Sequence, residues 1–442
     1  MSNHEFGINL GLDFGTSNSS VGSYNEGNLK IVEDKSGELS QPSSIFVRAD
    51  GYRSTGKKAI TDFLDPSIHS DTYHFIPSAK PGLPIEQYDG IVLHSRHMLP
   101  GRKYPSTFFS IEELASILIS DLKQKAEIKF GCQAEKVVIG RPVVFSNNEK
   151  MDNLARERLE RAARISGFRE VCFMPEPVAA ALYFERFYLE EGVPKKLFVF
   201  DFGGGTLDTC VLRAGENSSA FPSKNLSEKV IASHGIDLGG TDLDKDIFRE
   251  CFFSYFGREV TYNPQGLRIP HHIFDDISEW HLMQPERERQ IFDTLRMIIS
   301  DADCSDRNAV LRLMALVKDQ GVFAFLQGIE LAKIGVNVNG HSQIVYKNGT
   351  VDIHHSLTAK EYDRSIAVRL SQIEDCIREC LNRAQIRTDE VDIVLKTGGS
   401  SNNRFVHQLL TKIFEDGKIK SSDMFTSVVA GLSIAAADIF SQ

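Results

Sequence analysis

The chain has 442 residues, room for two to three domains at about 150 residues each, and 41% apolar with 25% charged residues is an ordinary globular composition. Fifty Lys and Arg against 60 Asp and Glu leave a net charge of −10, which argues against a broad basic nucleic-acid surface. The seven cysteines are odd in number, scattered, and show neither a CxxC nor a zinc-finger spacing, which excludes a disulfide-stapled scaffold and points to reduced thiols in a cytoplasmic compartment.

The start, MSNHEFG, lacks the basic residues and apolar run of a signal peptide. Ile8, Leu10, Leu12 and Phe14 alternate with Asn9, Gly11 and Asp13, the pattern of a strand. Gly51 to Lys58 approaches the P-loop pattern, but Lys58 stands where a hydroxyl should bind Mg²⁺, so that reading is set aside. Ser110 and Glu113 form a capping box ahead of Leu114, Ile117, Leu118 and Leu122 at helical spacing. The run 137–139 reads as a central strand, and Ser146 with Glu149 as a second capping box, its helix ended by Gly167. A second strand, 197–200, leads into Asp201 and three glycines. Residues 258–320, with the His271–His272 pair and Trp280, contain a helical spacing at Ile291, Leu295, Ile298 and Ile299. Thr358 and Glu361 open another helix, whose Cys376 and Cys380 lie one turn apart and read as buried side chains. The strand 393–395 precedes a glycine turn and a helix through Val406, Leu409 and Leu410. The apolar stretch 428–440 is too short to span a bilayer, and no membrane association is expected. Strands alternating with helices imply α/β architecture.

The chemistry concentrates in glycine turns. Asp13-Phe-Gly15-Thr16-Ser17-Asn18 follows the first strand, with Gly15 permitting close backbone approach and the polar residues offering donors to phosphate oxygens. Asp201-Phe-Gly203-Gly204-Gly205-Thr206 repeats the design 188 positions later. Three consecutive glycines cost conformational entropy that a bland turn does not require, so the two turns together point to a nucleotide polyphosphate. Asp13 and Asp201 are the candidate Mg²⁺ holders, through the ion's water shell. Gly239-Gly240 and Gly398-Gly399-Ser400 are further strand-to-helix turns able to receive a ligand on a helix N-terminus.

In this order the loops resemble the ATPase domain of the DnaK-type, seventy-kilodalton heat-shock chaperones, members of the actin and sugar-kinase superfamily. The similarity extends through Glu176 and the 177–182 segment, 393–410 and 428–436, nearly the whole chain. It implies a two-lobed actin-like ATPase fold, a duplicated ribonuclease H-like motif with ATP in the interlobe cleft. The lobes would be 1–195 and 196–442, the second with an enlarged insertion about 250–325 and a connecting helix about 426–440. It implies catalytic roles for Asp13, Lys80, Glu176, Asp201 and Thr206. The binding residues would be Gly15, Thr16, Ser17, Asn18, Gly203, Gly204, Gly205, Gly239, Gly240, Gly398, Gly399, Ser400 and Asn402, with Glu330 and Lys333 on the helix flanking the adenosine. ATP or ADP, Mg²⁺ and, by the same resemblance, K⁺ are the expected ligands. The chain is expected to lack the peptide-binding domain, as in the short YegD-type members. A protein client and a co-chaperone or exchange factor are the expected partners, with no nucleic acid. Asn402 and Phe425 depart from the family pattern, which loosens the expectation of adenine specificity. A small-molecule kinase of the same superfamily, and a nucleotide-sensing scaffold or filament protein, are the alternative readings.

Overall fold

A computed structural model describes residues 7–34, 36–65, 67, 73–94, 106–190, 192–215, 229–280, 283, 285–318, 321–421 and 426–440. Phe425, where the sequence departs from the family, lies outside the described residues. The chain is mixed α/β and divides into one unit of residues 1–240 with 371–442 and a second of residues 241–370.

The larger unit contains two sheets of matching topology. In the first, the order is Glu170–Pro175, Lys136–Arg141, Asn9–Phe14, Asn18–Asn25, Asn28–Ile31, with the short Gln41–Pro42 strand also against Asn18–Asn25. In the second it is Ile419–Ser421, Ile393–Thr397, Lys195–Phe202, Leu207–Ala214, Val230–Ile236. Each strand carrying an Asp-Phe-Gly turn lies at the centre of its sheet. It pairs antiparallel with the strand that follows it and parallel with a strand from a later crossover. The apolar runs explain the placement. Leu197, Phe198, Val199 and Phe200 are fully buried, as are Val137, Val138 and Ile139, because each strand has neighbours on both edges and cover on both faces.

Two helices fix these sheets into one core. Helix Glu176–Tyr188 buries Val178 to Leu182, and helix Ser427–Phe440 buries Ser427 to Ala436. They cross where Gly431 meets the Ala179 backbone, and the Ser433 backbone lies on Gly11. A Cβ at either glycine would occupy the neighbour's main chain, so this approach requires glycine.

Local signals mostly act as the sequence suggests. Ser110 and Glu113 make both bonds of the capping box, and Glu361 N donates to Thr358 Oγ1. The helix Glu149–Ile165 differs: Asn148 is its cap, accepting from the Lys150 and Met151 amides, while Ser146 accepts from Asn148 N before the helix begins. Asn148 is the nearer side chain with an acceptor, so it takes the orphan donors first.

The smaller unit is built on aromatic packing. Phe248, Phe252 and Phe256 meet Phe325 edge to face, and Tyr346 adds another edge contact to the same ring. The hairpin His341–Asn348 and Val351–Thr358 belongs to this unit. The described residues of the stretch 258–320 form a two-strand ladder and helices His271–Ser278, Pro285–Ser300 and Arg307–Val317. Ile291, Leu295 and Ile298 are buried there, as their spacing predicts. Helix Gly321–Asn339 has the length and apolarity of a membrane span, a feature missed in the sequence, with Phe325, Ile329 and Val336 buried and Leu331, Ile334 and Val338 exposed. Core helices of globular proteins share that length and apolarity.

Candidate functional site

The glycine turns of the larger unit come together. Gly204 lies against the Ser17 side chain and Gly205 against Thr16, so the two Asp-Phe-Gly turns pack face to face. Gly239 lies on the Gly204 backbone, and Gly240 N donates to Gly203 O at 3.0 Å. Gly240 also abuts Ser400, and Gly398, at φ +79°, abuts Phe202 and Asp201. Four turns from distant parts of the sequence therefore share one locus, and at Gly204, Gly205, Gly239, Gly240 and Gly398 an added Cβ would collide. Gly15 is held by its own turn, where a Cβ would strike the Asn18 carbonyl, and its own carbonyl accepts from Ser43 Oγ at 2.7 Å. Ser17, Gly399 and Asn402 are exposed, while Thr16, Asn18 and Ser400 are partly buried.

Beneath these turns lies a charged cluster. Lys80, in the short turn Lys80–Gly82, is 5% exposed and donates from Nζ to Glu176 Oε1 at 2.7 Å. Glu176 is the first residue of its helix, with Pro175 as N-cap, so the helix-start preference for an acid and the ion pair coincide. Burial, with the Glu176 charge, pushes Asp13 up to about 7 while Lys80 pulls it down. Burial and the charges of Glu176, Asp208 and Asp13 raise Asp201 well above the usual carboxylate range. Burial draws Lys80 downward, but Glu176, Asp13 and Asp208 together lift it above its ordinary value. Among the described residues, one ammonium thus faces four carboxylates. A buried excess of negative charge must bind protons or a cation. An all-oxygen donor set on one side of a lysine suits a hard divalent ion, so the residues fit Mg²⁺.

Asp208 is a site residue that sequence reasoning missed. It lies directly opposite Asp201 in the antiparallel pair. Burial and the Glu176 charge raise it to about 7, against the hydrogen bonds it accepts from Val143 N (2.6 Å) and from Thr206. An acid inside the otherwise apolar strand Leu207–Ala214 was the available signal.

Glu330 and Lys333 belong to the smaller unit, on helix Gly321–Asn339. Glu330 is exposed, and Lys333 Nζ donates to Asp244 Oδ2 at 2.8 Å. The second carboxylate oxygen of Asp244 is buried and has no hydrogen-bond partner among the described residues. Burial raises that carboxyl to about 7 against the pull of Lys333.

An α/β protein with duplicated glycine turns over a buried lysine and carboxylates has the composition of a phosphate-handling protein. A family model described as Hsp70 protein matches residues 93–263. The chaperone protein DnaK of Mycoplasmopsis agalactiae is 22% identical over 433 residues, covering 97% of this chain and 58% of that protein. DnaK of Mycoplasmopsis synoviae is 23% identical, covering 92% and 54%, and DnaK of Trichormus variabilis is 23% identical, covering 91% and 50%. The chain is thus similar to Hsp70 and DnaK proteins over most of its length, and that likeness implies the actin-like ATPase fold. The matches do not single out the short YegD-type branch. The chain spans about half the length of these curated relatives.

Proposed function

We propose that this chain binds ATP and ADP at the converging glycine turns, hydrolyses ATP slowly, and acts as a nucleotide-dependent protein-binding switch. The observation that supports this most is the buried Lys80–Glu176 pair set among Asp13, Asp201 and Asp208, directly under the turns. In this reading Asp13 and Asp201 hold Mg²⁺, whose chemistry is charge neutralisation on the phosphates. Gly15 to Asn18 and Gly203 to Gly205 cradle the phosphates. Lys80 counters charge developing on the transferred phosphoryl group, while Glu176 and Thr206 orient the attacking water. Phosphoryl transfer asks mainly for positioning and charge compensation, and each such contact supplies roughly 2.7–4 kcal/mol. The same proposal divides the chain into lobes 1–195 and 196–442 around an ATP cleft, with Glu330 and Lys333 beside the adenosine. K⁺ joins Mg²⁺ as a candidate ion. The compartment is cytoplasmic, and the partners are a client protein and a co-chaperone or exchange factor.

Calorimetry of ATP and ADP binding with Mg²⁺, beside phosphate release, tests the reading in wild type and Asp201→Asn. Binding by both with turnover only in wild type is the expected result. Binding without turnover in either would favour a sensor or scaffold, and absence of binding would remove the nucleotide reading.

A further inference from the structure

The smaller unit contains a second cluster of ligand-type side chains, unrelated to the glycine turns. Cys251 comes from helix Gly240–Phe252, His355 from strand Val351–Thr358 and Glu361 from the first turn of helix Ala359–Ala384. Among the described residues, one thiol, one imidazole and one carboxylate here present ligand atoms all within 4.8 Å of one another. Cys251 Sγ donates to Glu361 Oε1 at 3.6 Å, and His355 Nε2 lies 3.1 Å from Glu361 Oε2. Ligands held about 2.0–2.3 Å from a tetrahedral Zn²⁺ stand about 3.2–3.5 Å from one another. Each contact is at about that spacing, the thiol to one oxygen of Glu361 and the imidazole to the other.

The supports are rigid. The Glu361 amide is capped by Thr358, its carbonyl accepts from Ser365 Oγ at 2.9 Å, and the His355 ring stands edge-on to Phe252 at 5.1 Å. Sites built on helices and strands hold their geometry more closely than loop sites. The side chains of His355 and Glu361 remain 29% and 22% exposed, which leaves an approach for the ion and for a water as fourth ligand. Sulfur, nitrogen and one carboxylate form a donor set suited to Zn²⁺ rather than to Mg²⁺ or Ca²⁺.

We propose that Cys251, His355 and Glu361 form a Zn²⁺ site with a solvent ligand in the fourth position. It is independent of the nucleotide reading, because no residue is shared and the ion differs in class.

Titration of the full chain with Co²⁺ under reducing conditions provides the test. One equivalent should produce a saturable sulfur-to-metal charge-transfer band, displaced by Zn²⁺. Cobalt on the oxygen ligands around Lys80 gives no such band, so the two sites are distinguishable. Cys251→Ser should abolish the band, while Cys132→Ser should preserve it. His355→Ala and the near-isosteric Glu361→Gln should each lower Zn²⁺ affinity, in competition with a chelating dye, by at least the roughly tenfold that losing even an outer partner costs. Circular dichroism checks that the variants fold, and Glu361→Gln remains informative should Cys251→Ser misfold. A wild-type chain without the band, a band that survives Cys251→Ser, or unchanged affinity in folded Glu361→Gln overturns the proposal.

Discussion

The two Asp-Phe-Gly turns occupy equivalent positions in sheets of the same topology, yet different residues stand opposite their aspartates. Across the first, Asp13 pairs with Ser20, and the turn is tied by hydroxyls, with Ser43 Oγ bonded to the Gly15 carbonyl and to Ser19 Oγ. Across the second, Asp201 pairs with Asp208, a second buried acid. The first half supplies the lysine and its glutamate, and the second supplies most of the remaining negative charge. A duplicated scaffold has thus been filled asymmetrically: one turn is neutral except for its aspartate, and the other depends on the first half for its cation.

Lys80→Met should break this arrangement most severely. Removing one member of a buried ion pair costs about 3–5 kcal/mol. Urea unfolding should register that loss, and phosphate release should fall in parallel if the proposed role is right. A substitution leaving both unchanged would mean that Lys80 is not the counterion of the second half.

Making the halves alike is the next test. Ser20→Asp places an acid opposite Asp13 at a position only 2% exposed. Without a second lysine the new charge should cost about 3 kcal/mol at pH 8, and less at pH 5. Equal losses at the two pH values would show that charge is not the cause.

The interlocking of the turns can be probed one glycine at a time. Gly204→Ala directs its Cβ onto Ser17, whereas at Gly203 the nearest atom, the Thr206 carbonyl oxygen, is 3.8 Å away. Overpacking should cost about 1–3 kcal/mol at Gly204 and under about 1.5 kcal/mol at Gly203. Comparable losses at both would mean that the turns are not in contact in solution.

The smallest effect concerns pH. Asp13 and Asp208 titrate near 7 when folded and near the ordinary 3.8 when unfolded. Between those values the folded chain binds more protons, so its stability should fall as pH rises from about 4 to 7 and level off above. Mg²⁺ should therefore raise Tm more at pH 8 than at pH 5. Asp208→Asn, which keeps an acceptor for Val143 N, should gain roughly 1 kcal/mol at pH 8, a Tm rise of about 2–4 °C, and little at pH 5. A metal-free Tm that climbs between pH 5 and 7 would contradict the assignment of raised carboxyls.

Much of the scaffold was legible because its signals are local. The alternation in residues 8–14, the continuous apolar runs and the Ser110 capping box act within a few residues, and the sheet and helix follow. The glycine turns were legible as turns because three glycines in sequence have no ordinary structural use. The cap of the helix Glu149–Ile165 falls at Asn148, two positions after the Ser146 that the capping-box pattern indicates, because Asn148 accepts from the Lys150 and Met151 amides while Ser146 accepts from Asn148 N. Asp208 was passed over because an isolated acid in a strand has no spacing to mark it.

The sequence by itself determined the strands, the glycine turns, the repeat of Asp13 at Asp201 and the identity of the acids. Backbone preference and burial periodicity depend on near neighbours, which the sequence lists in order. Only the tertiary structure decided that Lys80 meets Glu176 across 96 positions and that Asp208 completes the acid cluster. It also decided that Cys251 meets Glu361 across 110 positions. Charge interactions and metal coordination depend on distance in space, and packing sets that distance between residues that carry no mark of one another in the chain.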